Sequence, residues 1–140
     1  MKTRFSSLVG LKKNTMQKSE RAVQKANIDL NSATTALELS YNMLQDIESP
    51  KSGNISELLA HRTLLSSQRG VINHNNDWVD FAKNQVDQAK EKLKYDMIEH
   101  EKFKYLELDE IKKIIKQKKL QEAKDLDEIA LMTYNKRDKE

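Results

Sequence analysis

Cysteine is absent from this chain of 140 residues, so neither a disulfide framework nor a thiolate metal site is open to it. That absence fits a reducing cytoplasm. A single proline and three glycines leave few places for the backbone to turn. Three glycines are also too few for a glycine-rich phosphate loop. No run of about 18 apolar residues occurs, so no membrane-spanning helix is expected. Lys2 and Arg4 precede an apolar stretch, but Lys12 and Lys13 break it, which argues against a signal peptide.

Charged residues make up 34% of the chain and hydrophobic ones 37%. That balance is too polar to wrap a thick globular core and suits long exposed helices. The hydrophobic positions have a helical period. Val9, Lys12, Met16, Ser19, Val23, Ala26, Leu30, Ala33, Leu37, Ser40, Leu44 and Ile47 follow a 3-4 spacing almost without interruption. Such a seam must be covered by another helix. Val9, Met16, Val23, Leu30, Leu37 and Leu44 are its large members. Ser19, Ala26, Ala33 and Ser40 are small, a mixture that suits close helix packing and leaves no room for a ligand cavity.

The spacing predicts a first helix over 4–48, roughly 65 Å long at about 1.5 Å per residue. Ser49-Pro50-Lys51-Ser52-Gly53-Asn54 forms the turn. Asn54 and Glu57 read as an N-cap with a capping box, so a new helix starts at Ile55. Gly70 and the run Asn73-His74-Asn75-Asn76 predict a break. The second arm therefore divides into a short helix over 55–72 and a long helix over 77–137. Trp78 opens the long helix and is expected to cover the break. Val79, Ala82, Val86, Ala89 and Leu93 repeat the large/small seam. At Asp96 the register fails, and a four-residue stutter is expected to restore it at Met97. Leu108, Ile111 and Ile115 then share a stripe. The expected fold is all-α: one domain over residues 1–140, a long antiparallel two-helix coiled coil with a short helix near its turn end. The first arm is too short to match the second, which predicts an overhang at the C-terminus.

Charge is uneven. Residues 1–25 hold seven Lys/Arg against one acid, Glu20. Residues 26–60 hold one base, Lys51, against five acids. In a hairpin the terminal end is then basic and the turn end acidic, a polarity that can orient a partner.

Chemistry is sparse. His61, His74 and His100 share no metal-ligand spacing. A thin two-helix rod provides no enclosed pocket to shift a carboxylate. Neither an enzyme nor a metal or cofactor is expected. The lysines at 112, 113, 116, 118 and 119 suggest phosphate binding. Asp109, Glu110, Glu122 and Asp125 flank them, however, which reads as pairing along the helix at i,i+4. No nucleic acid is expected. Phe5, Leu8, Val9 and Leu11 among basic residues could skim an anionic membrane surface, but the fraying first turns of a coiled coil are the favoured reading.

The two ends carry recognisable motifs. One is Arg4-Phe5-Ser6-Ser7-Leu8-Val9-Gly10-Leu11-Lys12-Lys13. The other is Lys124-Asp125-Leu126-Asp127-Glu128-Ile129-Ala130-Leu131-Met132-Thr133-Tyr134-Asn135-Lys136-Arg137. Together with a two-helix rod of this length, they resemble the FliJ family of the bacterial flagellar type III export apparatus. The resemblance implies a fold similar to the gamma stalk of rotary ATP synthases. It implies a cytoplasmic, non-enzymatic protein at the face of the inner membrane. Its expected partners are the hexameric export ATPase, whose assembly and activity it promotes, the export gate protein FlhA, and export chaperones. By the same resemblance, Phe5, Leu8, Leu11, Leu126, Ile129, Met132 and Lys136 meet the ATPase ring. Leu37, Tyr41, Leu64 and Gln68 are the nearest equivalents of the gate contact. The equivalent stalk of a virulence secretion system is the alternative within this class, and a coiled-coil adaptor or nucleic-acid-binding arm the alternative outside it.

Overall fold

The computed structural model describes residues 2–51 and 53–138. They form two helices, α1 (Ser6–Asp46) and α2 (Ile55–Asp138), with no strand among the described residues. The fold is an all-α helical hairpin with coiled-coil packing.

Local chemistry sets the ends. The Thr3 hydroxyl accepts from the Phe5 N–H at 3.1 Å, and the Ser6 hydroxyl accepts from the Thr3 N–H at 2.8 Å. This is a reciprocal cap in which serine replaces the usual Glu or Gln. At the start of α2, Asn54 Oδ1 accepts from the Ser56 N–H at 3.1 Å. α1 ends four residues before Pro50, which cannot continue a helix.

Contacts divide the chain into two units. One contains Met16–Asp96, the other Met1–Thr15 with Met97–Glu140. In the first unit the helices run antiparallel, since Ser40 meets Gln68 and Asn75 while Ser19 meets Asp96. The small seam residues Ser19, Ala26, Ala33 and Ser40 are buried. Val23, Leu30, Leu37 and Leu44 are half-buried beside them. The small side chains let the backbones approach, and the large ones close over the contact from the sides. Ala33, Val79 and Ala82 form a buried apolar cluster, with Leu30 and Leu37 packed against it. On α2 the inward positions are Ile72, Val79, Ala82, Val86 and Asp96, with Ala89 and Leu93 half-buried.

Two expectations need correction here. The break at 73–76 does not exist, and the segments 55–72 and 77–137 belong to one continuous helix. Gly70 costs about 1 kcal/mol relative to alanine, but the residues around it are tied to α1. Ile72 and Val79 are buried there, and the Asn75 amide donates to Ala36 O and Ser40 Oγ, both at 3.2 Å. Tertiary contacts at 72, 75 and 79 outweigh the poor helix propensity between them. Trp78 accordingly has no break to cover and lies partly exposed.

The stutter at Asp96 is also absent. Asp96 is itself a seam residue, 7% exposed, and accepts a hydrogen bond from the Ser19 hydroxyl. Met97 is exposed. A polar residue that finds its partner across the seam removes the need to shift register. In the other unit, His100, Phe103, Glu107, Glu110 and Ile114 continue the spacing as half-buried positions. Leu108 and Ile115 point to solvent, and of the expected stripe only Ile111 is half-buried.

The pairs Ser19–Asp96 and Ser40–Asn75 lie three heptads apart on each helix. Polar seam pairs of this kind specify alignment. A slip of one heptad would set Asn75 against Ala33 or Ile47, neither of which offers its amide the hydroxyl that Ser40 does. Replacing Asp96 by alanine strands the Ser19 hydroxyl in the seam. Asp96→Ala should lower stability by about 1–3 kcal/mol, read as a lower urea midpoint at constant slope. An unchanged midpoint would mean that the pair contributes nothing to the seam.

Candidate interaction surfaces

The expected ring-contact residues all lie in the unit that holds the two termini, but at different places in it. α1 begins against the 99–110 stretch of α2. The Ser6 hydroxyl donates to Glu107 Oε1 at 3.0 Å, Arg4 pairs with Glu110 at 3.6 Å, and Lys12 pairs with Glu99 at 3.7 Å. The Lys12 ammonium also lies 5.5 Å from the Phe103 ring centroid. A lysine at a seam position is thus held by its stem along the helix pair and its charge at the edge. Phe5 is half-buried in this region, while Leu8 and Leu11 are exposed.

Leu126, Ile129, Met132 and Lys136 lie elsewhere. α2 continues past the start of α1, and every residue from 115 to 137 is exposed. From Glu110 to Leu126 is roughly 24 Å along the helix. The expected cluster is therefore split: Phe5, Leu8 and Leu11 flank the paired region, and the other four sit on a free helix. The heptad positions explain why pairing has no sequence support there. After Ile114 they fall on Gln117, Gln121, Lys124, Glu128, Leu131 and Asn135, of which Leu131 alone is apolar. The apolar residues Leu120, Ala123, Leu126, Ala130 and Tyr134 instead repeat every three or four positions on nearly the opposite side of α2. Lys113 pairs with Asp109 at 3.3 Å, and Gln121 donates to Asp125 at 3.1 Å, both at i,i+4 spacing.

The four expected gate residues lie in the unit Met16–Asp96. Leu37 packs against the Ala33–Val79–Ala82 cluster. Gln68 is half-buried and its amide donates to Ser40 O at 2.8 Å. Both are committed to the hairpin. Tyr41 and Leu64 are exposed. Sequence reasoning missed a neighbouring feature, the exposed aromatic pair Trp78 and Phe81 over a shallow groove with His74 and Asp77. A signal was there: the two rings stand one position before the seam residues Val79 and Ala82.

Among the described residues, no group of three or more His, Cys, Asp or Glu is placed to hold a metal ion. No described helix is long and apolar enough to cross a membrane. A family model described as the flagellar FliJ protein matches residues 1–139. The chain belongs to the FliJ family. No curated protein and no solved structure matches it. Membership makes it a component of flagellar export, in a family whose members are non-catalytic. The stretch 115–137, Tyr41 and Leu64, and the Trp78–Phe81 pair are exposed in it.

Proposed function

We propose that this FliJ-family chain is the central stalk of the hexameric flagellar export ATPase, promoting ring assembly and turnover without chemistry of its own. The observation that carries the reading is the helix beyond residue 114. It exposes Leu120, Leu126, Ile129, Leu131, Met132 and Tyr134, which the hairpin itself cannot cover. A helix that fills a ring needs a narrow section with apolar side chains on its outside. Phe5, Leu8 and Leu11 contribute from the start of α1, and the positive charge of residues 1–25 favours acidic ring loops.

The gate protein FlhA meets the hairpin through Tyr41 and Leu64, since Leu37 and Gln68 are occupied in the seam. Export chaperones are the third partner, and the setting is the cytoplasmic face of the inner membrane. The matching family is the flagellar one, so no observation favours the virulence stalk. The mixed charges around Lys112–Lys119 likewise give nothing to a nucleic-acid reading.

The deciding measurement is the ATPase rate of the cognate enzyme titrated with this protein. Stimulation is expected to saturate near one chain per hexamer. A competent ring whose rate does not respond would leave the hairpin an adaptor and remove the stalk reading.

A further inference from the structure

The two flanks of the seam in the unit Met16–Asp96 differ in chemistry. One flank presents Asn27, Thr34 and Glu38 from α1 with Asp80, Lys83 and Asp87 from α2, all exposed. The other presents Ala36, Leu39 and Met43 from α1 with Val71, Trp78 and Phe81 from α2. Phe81 is 61% exposed and Trp78 39%, although tryptophan is among the more buried residues on average.

Beside this aromatic ridge runs a groove between the two helices. Ala22, Ala26 and Ala89 are its small lining residues, Phe81 is one wall, and Lys25, Asp29 and Lys92 stand along it. The ridge has its own charge in Asp77, which shares a hollow with Trp78 and Phe81. A projecting ring and an alanine-lined groove therefore lie side by side on one surface. Such an arrangement suits an isologous contact between identical chains, in which each copy offers both halves.

We propose that this face binds the same face of a second copy of the chain. Phe81 of each copy enters the alanine-lined groove of the other, about a two-fold axis between ridge and groove. Asp77 on the ridge is then carried toward a groove where Lys25 and Lys92 outnumber the one acid, Asp29, twice over, so the net charges complement one another. The exposed parts of Val71, Trp78, Phe81, Leu39 and Met43 amount to on the order of 500 Å² of mostly apolar area. That is more than half of the ~800 Å² each partner contributes to a standard-size interface. A reversible pair results, on residues distinct from those assigned to the ATPase ring.

Sedimentation velocity of the full chain over a wide concentration range tests this. The mass should rise from one chain to two, and the emission of Trp78, the only tryptophan, should shift to the blue in step. Phe81→Glu places a carboxylate against the alanine groove and should raise the dimer dissociation constant at least about thirtyfold. Phe81 is exposed, so helical content should be unchanged. Asp77→Lys alone should weaken the pair, and Asp77→Lys with Lys92→Asp should restore it. Phe81→Glu should still stimulate the ATPase, which separates this proposal from the stalk reading. A single-chain mass at every concentration overturns the proposal, as does a Phe81→Glu protein that pairs like the parent. Blue-shifted Trp78 emission only when a partner protein's helix is added would assign the face to that partner instead.

Discussion

Leu30→Asp should strip the hairpin of much of its far-UV helical signal at 37 °C and abolish every partner contact. Leu30 packs against the buried cluster of Ala33, Val79 and Ala82 between α1 and α2. Removing the isobutyl group costs roughly 2–5 kcal/mol, and a carboxylate beside buried alanines adds a desolvation cost. The hairpin has little reserve, since none of the large side chains among the described residues is fully buried. A loss of that size is a large fraction of the roughly 5–15 kcal/mol typical of a folded domain. Circular dichroism during thermal melting reads the result directly. Asn31→Asp, one residue along and exposed, serves as the control and should change stability by less than about 0.5 kcal/mol. Equal melting of Leu30→Asp and the parent would remove Leu30 from the seam.

The double substitution Leu126→Asp with Ile129→Asp should do the reverse. Both side chains are on the exposed stretch 115–137. Melting of the isolated protein should stay within about 0.5 kcal/mol of the parent, because no packing is lost. ATPase stimulation should fall at least about tenfold, corresponding to the loss of roughly 1.4 kcal/mol or more of contact with the ring. Full stimulation by the double variant would move the ring contact away from this helix. The pair of experiments separates a leucine that holds the hairpin at a seam position from the proposed use of Leu126 beyond it, contact with a partner.

Phe81→Glu and Asp96→Ala complete the contrast from the other side. The first changes an exposed ring and should leave the fold alone. The second changes a carboxylate that a hydrophobicity scale would place in solvent, yet it is more buried than Ala26 or Val79. Asp96 and Asn75 were the least legible residues of the chain. Each is polar, and each sits where the sequence pattern reads as failing. Their role depends on what lies across the seam, Ser19 in one case and Ser40 in the other.

The same reason accounts for the helix that runs through Gly70 and Asn73–Asn76. Local propensity describes a helix standing alone. Here Ile72, Asn75 and Val79 are each held by α1, at a spacing that spans the weak stretch. Propensity differences of a few tenths to about 1 kcal/mol per residue cannot prevail against contacts placed every three or four residues.

The sequence by itself determined the class of structure, the hairpin turn and the family. Apolar and small residues at a 3.5-residue period demand a helix partner, and the single Pro-Gly segment leaves one place to reverse. The motifs at the two ends carry the family, whose model matches residues 1–139. Only the tertiary structure decided that α2 is continuous, that Asp96 and Asn75 belong to the seam, that Leu37 and Gln68 are spent on the hairpin, and that Leu126 and Ile129 stand free of Phe5 and Leu8. Period is a property of one chain segment and can be read along it. Whether a polar side chain is satisfied, and whether an apolar one is covered, depends on the opposite helix and becomes fixed only when the two are brought together.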